Sequence, residues 1–293
     1  MTPSSTVFSP IRRREHSSAF GYRAIVIGAA LALLLIVVVA VALGPYQLSA
    51  RDLFAFLVAK ATGAASPLTA PAETVILQIR LPRVLAATAI GAALAASGAA
   101  YQSLFRNPLV SPDILGVSAG AAFGAVVGIF LSLPVLAIEA ASFAGGLAAV
   151  IIVYGIATAI RGRDAVLVLV LAGVVIGALF GACVGLLKYL ADPYNQLPAI
   201  TFWLLGSLAA TNPGDLTSLL PAVAIGLMPL ALLRWRIDVM TLGDEEAAAL
   251  GVDTRMLRIV VIAAATLTTS AAVAASGSSA GSGSSYRISR GSR

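Results

Sequence analysis

Charge is what this chain of 293 residues has least of: Asp, Glu, Lys and Arg make up 11% of it, where soluble domains carry roughly a quarter. So little polar surface cannot cover a core of this size in water. The same shortage excludes disorder and coiled coil, both of which need charge. Cysteine and histidine are almost missing too. Cys183, the one cysteine, sits in an apolar run, so there is no disulfide framework and no cysteine metal site. A single histidine, His16, leaves a His-ligated metal centre without its ligands. No Gly-x-x-x-x-Gly-Lys-Ser/Thr loop occurs, so the chain itself is expected to hydrolyse no nucleotide, and no cofactor is expected. The net charge of +6 is no argument for nucleic acid, because in an apolar chain what matters is which loops hold the cations.

What is present is hydrocarbon. Hydrophobic residues make up 59% of the sequence, with a mean hydropathy of +0.97. A helix needs about 20 apolar residues to cross roughly 30 Å of lipid. Uncharged stretches of about that size recur at residues 24–43, 84–105, 114–133, 140–160, 165–187, 216–233 and 259–275. The pattern predicts an all-α polytopic membrane bundle of about seven spans, between an N-terminal tail over 1–23 and a C-terminal tail over 276–293. With the N-terminus in the cytoplasm, eleven of the 19 Lys and Arg fall inside, five outside and the rest in the last tail. That bias predicts an N-in orientation. Arg80 and Arg83 are a local exception, together on the outer side of the second span.

Three connecting segments have characters of their own. Residues 44–72 carry Gly44-Pro45, Ser66-Pro67 and Pro71 and read as irregular. Residues 191–215 hold Ile200, Phe202, Trp203 and Leu204, a run suited to a short re-entrant or interfacial helix. The inner segment 237–258 contains Leu242-Gly243-Asp244-Glu245-Glu246-Ala247 and closes on Leu250-Gly251. Carboxylates in a first turn and glycine past the last are helix start and stop signals. They predict a short amphipathic helix over about 242–251, on the cytoplasmic face.

Within the spans, Gly173, Gly177, Gly181 and Gly185 repeat every four residues, and Gly120, Gly124 and Gly128 do the same. Such stripes lie on one helix face and let another backbone approach, so tight helix packing is the expected role. No ionisable group lies deep in any predicted span, as a proton-coupled carrier or an intramembrane metalloprotease would require. Energy for active transport would have to come from another subunit.

Several blocks together carry a resemblance. They are Arg80-Leu81-Pro82-Arg83, Gly91-Ala92-Ala93-Leu94, Ser97-Gly98, Gln102, Arg106-Asn107-Pro108-Leu109, Pro112-Asp113, Leu115-Gly116-Val117 and Gly120-Ala121, then Leu171-Ala172-Gly173, Phe202-Trp203-Leu204-Leu205-Gly206-Ser207 and Leu242–Gly251. In this order and spacing, over about residues 73–277, the chain resembles the FecCD/BtuC-like permease family of ABC importers, which take up iron–siderophores, haem and vitamin B12.

The resemblance implies a permease subunit in a bacterial inner membrane, moving an iron–siderophore or related metal chelate. Its implied partners are two copies of an ABC ATPase subunit, a periplasmic or lipid-anchored substrate-binding protein, a second permease subunit in a homo- or heterodimer, and membrane lipid. Residues Leu242, Gly243, Asp244, Glu245, Glu246, Ala247, Leu250 and Gly251 then correspond to the helix that couples to the ATPase. Arg80 and Arg83 match arginines that meet acidic residues of the binding protein, and Asn107 and Leu109 lie where the family narrows its inner gate. Rival readings are an inactive truncated permease and a secondary carrier or channel. Co-purification of an ATPase subunit separates the carrier from the importer.

The chain departs from the family at its end. Members have about ten spans and continue, after the seventh, with a Gly-x-Ile-Gly-Phe/Trp-Val-Gly-Leu-x-x-Pro-His motif. Here the sequence reads Gly277-Ser278-Ser279-Ala280-Gly281-Ser282-Gly283-Ser284-Ser285-Tyr286-Arg287-Ile288-Ser289-Arg290. Codons that encode the family motif yield residues 279–290 when a single base is dropped from the third of them. The expectation is a frameshift. Sequencing the gene should reveal, one base out of frame after Gly277, the Pro-His motif and three further apolar spans; a frame lacking them refutes it.

Overall fold

The structure, a computed structural model, describes residues 16–44, 46, 49–108, 110–160 and 165–290. No strand occurs among the described residues, and the chain divides into two compact units, Met1–Ile76 and Leu77–Arg293.

The first unit contains α1 (His16–Ala42), α2 (Ala50–Thr62) and α3 (Ala70–Thr74). In α1, residues Arg23–Ala42 form an apolar stretch long enough to span a membrane, with Leu31, Leu35 and Ile36 exposed as lipid-facing side chains are. The segment 44–72, expected to be irregular, contains the 13-residue α2. Both of its ends are specified locally. The Ser49 hydroxyl accepts from the Asp52 N–H at 3.1 Å, and Gly63 takes a left-handed φ of 70° just past the last turn. The neighbouring prolines fall outside those caps.

The second unit is built from α4 (Leu81–Phe105), α5 (Val117–Phe130), α6 (Val135–Ala159), α7 (Ala165–Leu190), α8 (Gln196–Leu205), α9 (Pro213–Leu232), α10 (Arg234–Met240), α11 (Asp244–Ala249) and α12 (Thr254–Arg290). A π-helical turn, Val75–Arg80, leads into α4. The helix expected somewhere in 191–215 is α8. The tail over 276–293 continues α12 as far as Arg290.

Six described helices are long and apolar enough to cross a membrane. The stretch expected as the third of seven spans, 114–133, is not among them. It resolves into a 3₁₀ turn, Pro112–Leu115, and the 14-residue α5. At 1.5 Å per residue α5 reaches only about 21 Å, short of the hydrocarbon thickness. Two contacts nevertheless place Arg106 and Phe130 at opposite ends of the unit: Arg106 lies beside Gly243, just before α11, and the Phe130 carbonyl accepts from Gln196 Nε2 at 2.8 Å. The crossing is therefore made, partly as α-helix and partly as turn. Pro108 and Pro112 explain this, since each removes a donor and bars its predecessor from the helical region.

Small residues let the helices close up. A Cβ on Gly120 would run into the Gly145 carbonyl oxygen, and one on Gly124 into that of Ala141, so the α5 stripe lies directly on α6. The α7 stripe behaves differently from the expected packing face. A Cβ on Gly173 would strike the Ile114 carbonyl, and Gly177 lies near Gly116, but Gly181 and Gly185 have no neighbour within 4 Å of such an atom. The short turn Pro112–Leu115 covers only one stretch of α7, so the second half of its stripe packs against nothing among the described residues.

At the centre runs α12, packed on α4, α5, α6, α8 and α9. Its hydroxyls knit it to α4. Ser97 Oγ lies 2.5 Å from Thr268 Oγ1, and Tyr101 Oη lies 3.2 Å from Thr266 Oγ1, all four residues fully buried. Gly124→Leu is expected to destabilise the chain by about 1–3 kcal/mol through overpacking. Gly181→Leu should be neutral, or stabilising by up to about 1 kcal/mol, because a helix interior favours leucine over glycine. Thermal unfolding in detergent compares the two, and equal losses would contradict this account of the stripes.

Candidate functional site

The segment between α9 and α12 forms a small structured face at one end of the bundle. Helix α11 begins with Asp244, Glu245 and Glu246, whose carboxylates suit the positive N-terminal end of a helix. Gly251 ends the segment with φ +79°, a conformation that β-carbon-bearing residues resist. There the Gly251 and Val252 N–H groups donate to the Ala248 and Ala247 carbonyls, each at 3.0 Å. Ala247 is fully buried and joins the same core cluster as Met240, Val252, Tyr101 and Leu115, so α11 rests on the membrane-embedded core. From the far side, the Arg258 guanidinium of α12 pairs with Asp244 at 3.0 Å. The pair is partly exposed and contributes at most about 1 kcal/mol, but it fixes the direction of α11.

With its inner side anchored, α11 leaves apolar residues outside. Leu242 is 61% exposed and Leu250 55%, one on each flank of a helix bearing three carboxylates. The predicted short helix over 242–251 is present as the turn at Leu242-Gly243 followed by α11. Sequence reasoning missed Arg258 as its support. Arg258 stands 14 positions from Asp244, beyond any helical spacing, and the only signal was opposite charge flanking a helix start.

Asn107 closes α4. Its N–H donates to the Gln102 carbonyl at 3.1 Å and its own carbonyl accepts from Val110 at 3.3 Å, which reverses the chain into the broken crossing. Leu109, paired with it in the expected gate, lies outside the described residues. Buried Val110, Leu115 and Val117 hold the turn in the core.

The two arginines lie at the opposite end. Arg80 is only 6% exposed. Arg83 donates from Nε to the Leu208 carbonyl at 3.1 Å and from Nη2 to the Ala209 carbonyl. Docking to an acidic partner asks for accessible guanidinium groups. Here one is buried and the other is engaged by the loop between α8 and α9. Among the described residues no cluster of three or more His, Cys, Asp or Glu could hold a metal ion.

Comparison with known proteins adds the following. The model of the FecCD transport family matches residues 31–278. The molybdate import system permease protein MolB of Haemophilus influenzae is 37% identical over 241 residues, covering 82% of this chain and 71% of MolB. The hemin transport system permease protein HmuU of Yersinia pestis is 40% identical over 200 residues, 64% of this chain and 58% of HmuU. The cobalamin import system permease protein BtuC of Halobacterium salinarum is 37% identical over 193 residues, 66% of this chain. The chain spans about half the length of BtuC, 52%. A solved inward-facing structure of a metal-chelate type ABC transporter superposes with a TM-score of 0.75 at 34% identity, covering 87% of this chain and 76% of that one.

Proposed function

The chain belongs to the FecCD transport family, and we propose that it is the permease subunit of an ABC importer that carries a metal chelate, an iron–siderophore or a related complex, inward across the inner membrane. ATP hydrolysis is the work of a separate ATPase subunit, two copies of which dock on the cytoplasmic face. A substrate-binding protein delivers cargo at the opposite face, and a second permease subunit completes the pathway. The N-terminus lies in the cytoplasm.

One observation carries this reading: α11 stands outside the apolar bundle, pinned by Ala247 and Arg258, yet presents Leu242 and Leu250 to solvent. An importer needs such a feature, because the force of ATP hydrolysis must reach the membrane helices through a protruding element seated in the ATPase. Exposed leucines flanked by carboxylates suit a groove with an apolar floor and a polar rim. Several relatives support the chelate class. Their names cover molybdate, hemin and cobalamin, and the solved neighbour is of metal-chelate type.

Leu250→Asp tests the reading. The side chain is exposed, so membrane insertion and folding should be unchanged, while a charge in an apolar groove should abolish co-purification of the ATPase subunit. Retained co-purification would sink the assignment of α11. Gly251→Asp should do the same and also cost stability, since its φ of +79° is strained for aspartate.

A further inference from the structure

Helix α2 is tethered between two apolar stretches, Arg23–Ala42 and Ala70–Phe105, each long enough to cross a membrane. Residues 43–49 separate it from the end of α1 and residues 63–69 from the start of α3, seven in each case. Seven residues reach at most about 25 Å when fully extended. The helix is therefore held at the membrane face where α1 ends, within reach of the lipid headgroups.

Its two sides differ. Leu53, Phe56 and Ala59 recur every third residue along one side, and all three are buried. Arg51, Phe54 and Val58, at positions i, i+3 and i+7, form a second stripe away from it. Phe54 is 70% exposed and Val58 45%. Arg51 in the first turn and Lys60 in the last are exposed as well, and among the described residues neither has an ion pair or hydrogen bond. The one carboxylate of α2 is already engaged: Asp52 accepts from the Ser49 hydroxyl at 2.7 Å. All of the unpaired charge on the helix is positive.

We infer that α2 is an interfacial anchor, lying in the headgroup layer with Phe54 and Val58 in the acyl boundary and Arg51 and Lys60 on the phosphates of anionic phospholipid. A helix in the plane of the interface sinks its apolar side chains about 5–10 Å into that boundary. Long cationic side chains lay their stems along it and return their charge to the headgroups. The two cations stand about 14 Å apart along the axis, a spacing that meets separate phosphates of one lipid surface. Two apolar side chains are far too few for a stable protein interface, which takes about 800 Å² from each partner. They suffice for a helix that its neighbouring spans have already brought to the membrane. The inference goes beyond the importer reading and needs only that those spans cross.

The test uses the full chain in lipid vesicles, with Cys183→Ala removing the native thiol and a fluorophore on Val58→Cys. Ala61→Cys, one turn further on, serves as a second labelled position should the first fail to fold. Phosphatidylglycerol or phosphatidylcholine with a spin label at the headgroup quenches from the membrane, and acrylamide quenches from water. Each is read as a fraction of its effect on the free fluorophore in lipid or in water. Quenching by lipid should exceed quenching by acrylamide, and Phe54→Ser should lower it. Arg51→Gln with Lys60→Gln should cut the preference for phosphatidylglycerol over phosphatidylcholine at least about fivefold, the effect of one cation near an anionic surface. Acrylamide quenching that equals or exceeds lipid quenching puts the stripe in water and overturns the inference. Protection from both quenchers overturns it too, because a protein or a second copy of the chain then covers the stripe. So does a lipid preference that survives the double substitution. No binding protein, ATPase or cargo is present, so failure of the importer reading would leave the result standing.

Discussion

Inside hydrocarbon there is no water to bond a stray peptide group, so backbone that leaves the helix must be wrapped in protein or line a wet cavity. The bundle is arranged around one such departure. Between Arg106 and Val117 the chain climbs from one end of the unit as a turn, a 3₁₀ segment and a left-handed glycine, and only then resumes as α5. Helices α4, α5, α6, α7 and α12 all pack on the 3₁₀ turn. Gly173 and Gly177 meet it about 12–18 Å along α7 from its start, well inside the apolar layer. Gly116 is the pivot. Its φ of +72° redirects the chain, and Gly173 and Gly177 lie so close that a Cβ there would rest on their backbone atoms.

Since lipid is as apolar as leucine, burying side chains between helices yields little, and association depends on close packing and interhelical hydrogen bonds. Both are used here, on different pairs. Helices α5 and α6 meet through Gly120, Gly124 and Gly145 with backbones nearly touching, which maximises dispersion contacts over a short helix. Helices α4 and α12 meet through hydroxyls. Thr266, Thr268 and Thr269 each donate to carbonyls of their own helix, which satisfies them without a partner. Ser97 and Tyr101 take the remaining acceptor positions across the interface. Ser142 and Ser270, also fully buried, find no hydrogen-bond partner among the described residues.

How much of this the sequence announced depends on the range of the forces involved. Span count came from composition and length, which are local; six described helices are long and apolar enough to cross a membrane, and the third of the seven predicted runs is not one of them. The broken third crossing was half visible: Pro108 and Pro112 mark a turn, but an uncharged run of twenty looks the same whether α-helix fills it or not. The small helix before α12 was legible because Asp244 to Glu246 and Gly251 are end signals readable in place. The glycine stripes misled by half. A stripe says that a neighbour can come close; which neighbour comes, and how far along, is set by the whole bundle, and for Gly181 and Gly185 nothing among the described residues arrives. Arg80 and Arg83 stood out as exceptions to the charge bias. Their surroundings depend on contacts across more than a hundred residues, which no local pattern encodes.

The same long-range contacts tie the two faces of the molecule together. Helix α12 begins at α11, where Arg258 holds Asp244, and some 33 Å on its Ser276 carbonyl clips the α8–α9 loop at Ser207. Helix α4 runs the other way, from Arg83 under that same loop to Arg106 beside Gly243. Each is a continuous rod joining one face to the other, and the two are bonded midway through Ser97–Thr268 and Tyr101–Thr266. Sliding one past the other would leave the fully buried Tyr101 hydroxyl without an acceptor, and burying an unpaired hydroxyl is costly. The seam therefore opposes sliding of one helix past the other, and the two rods share one register between the faces they join.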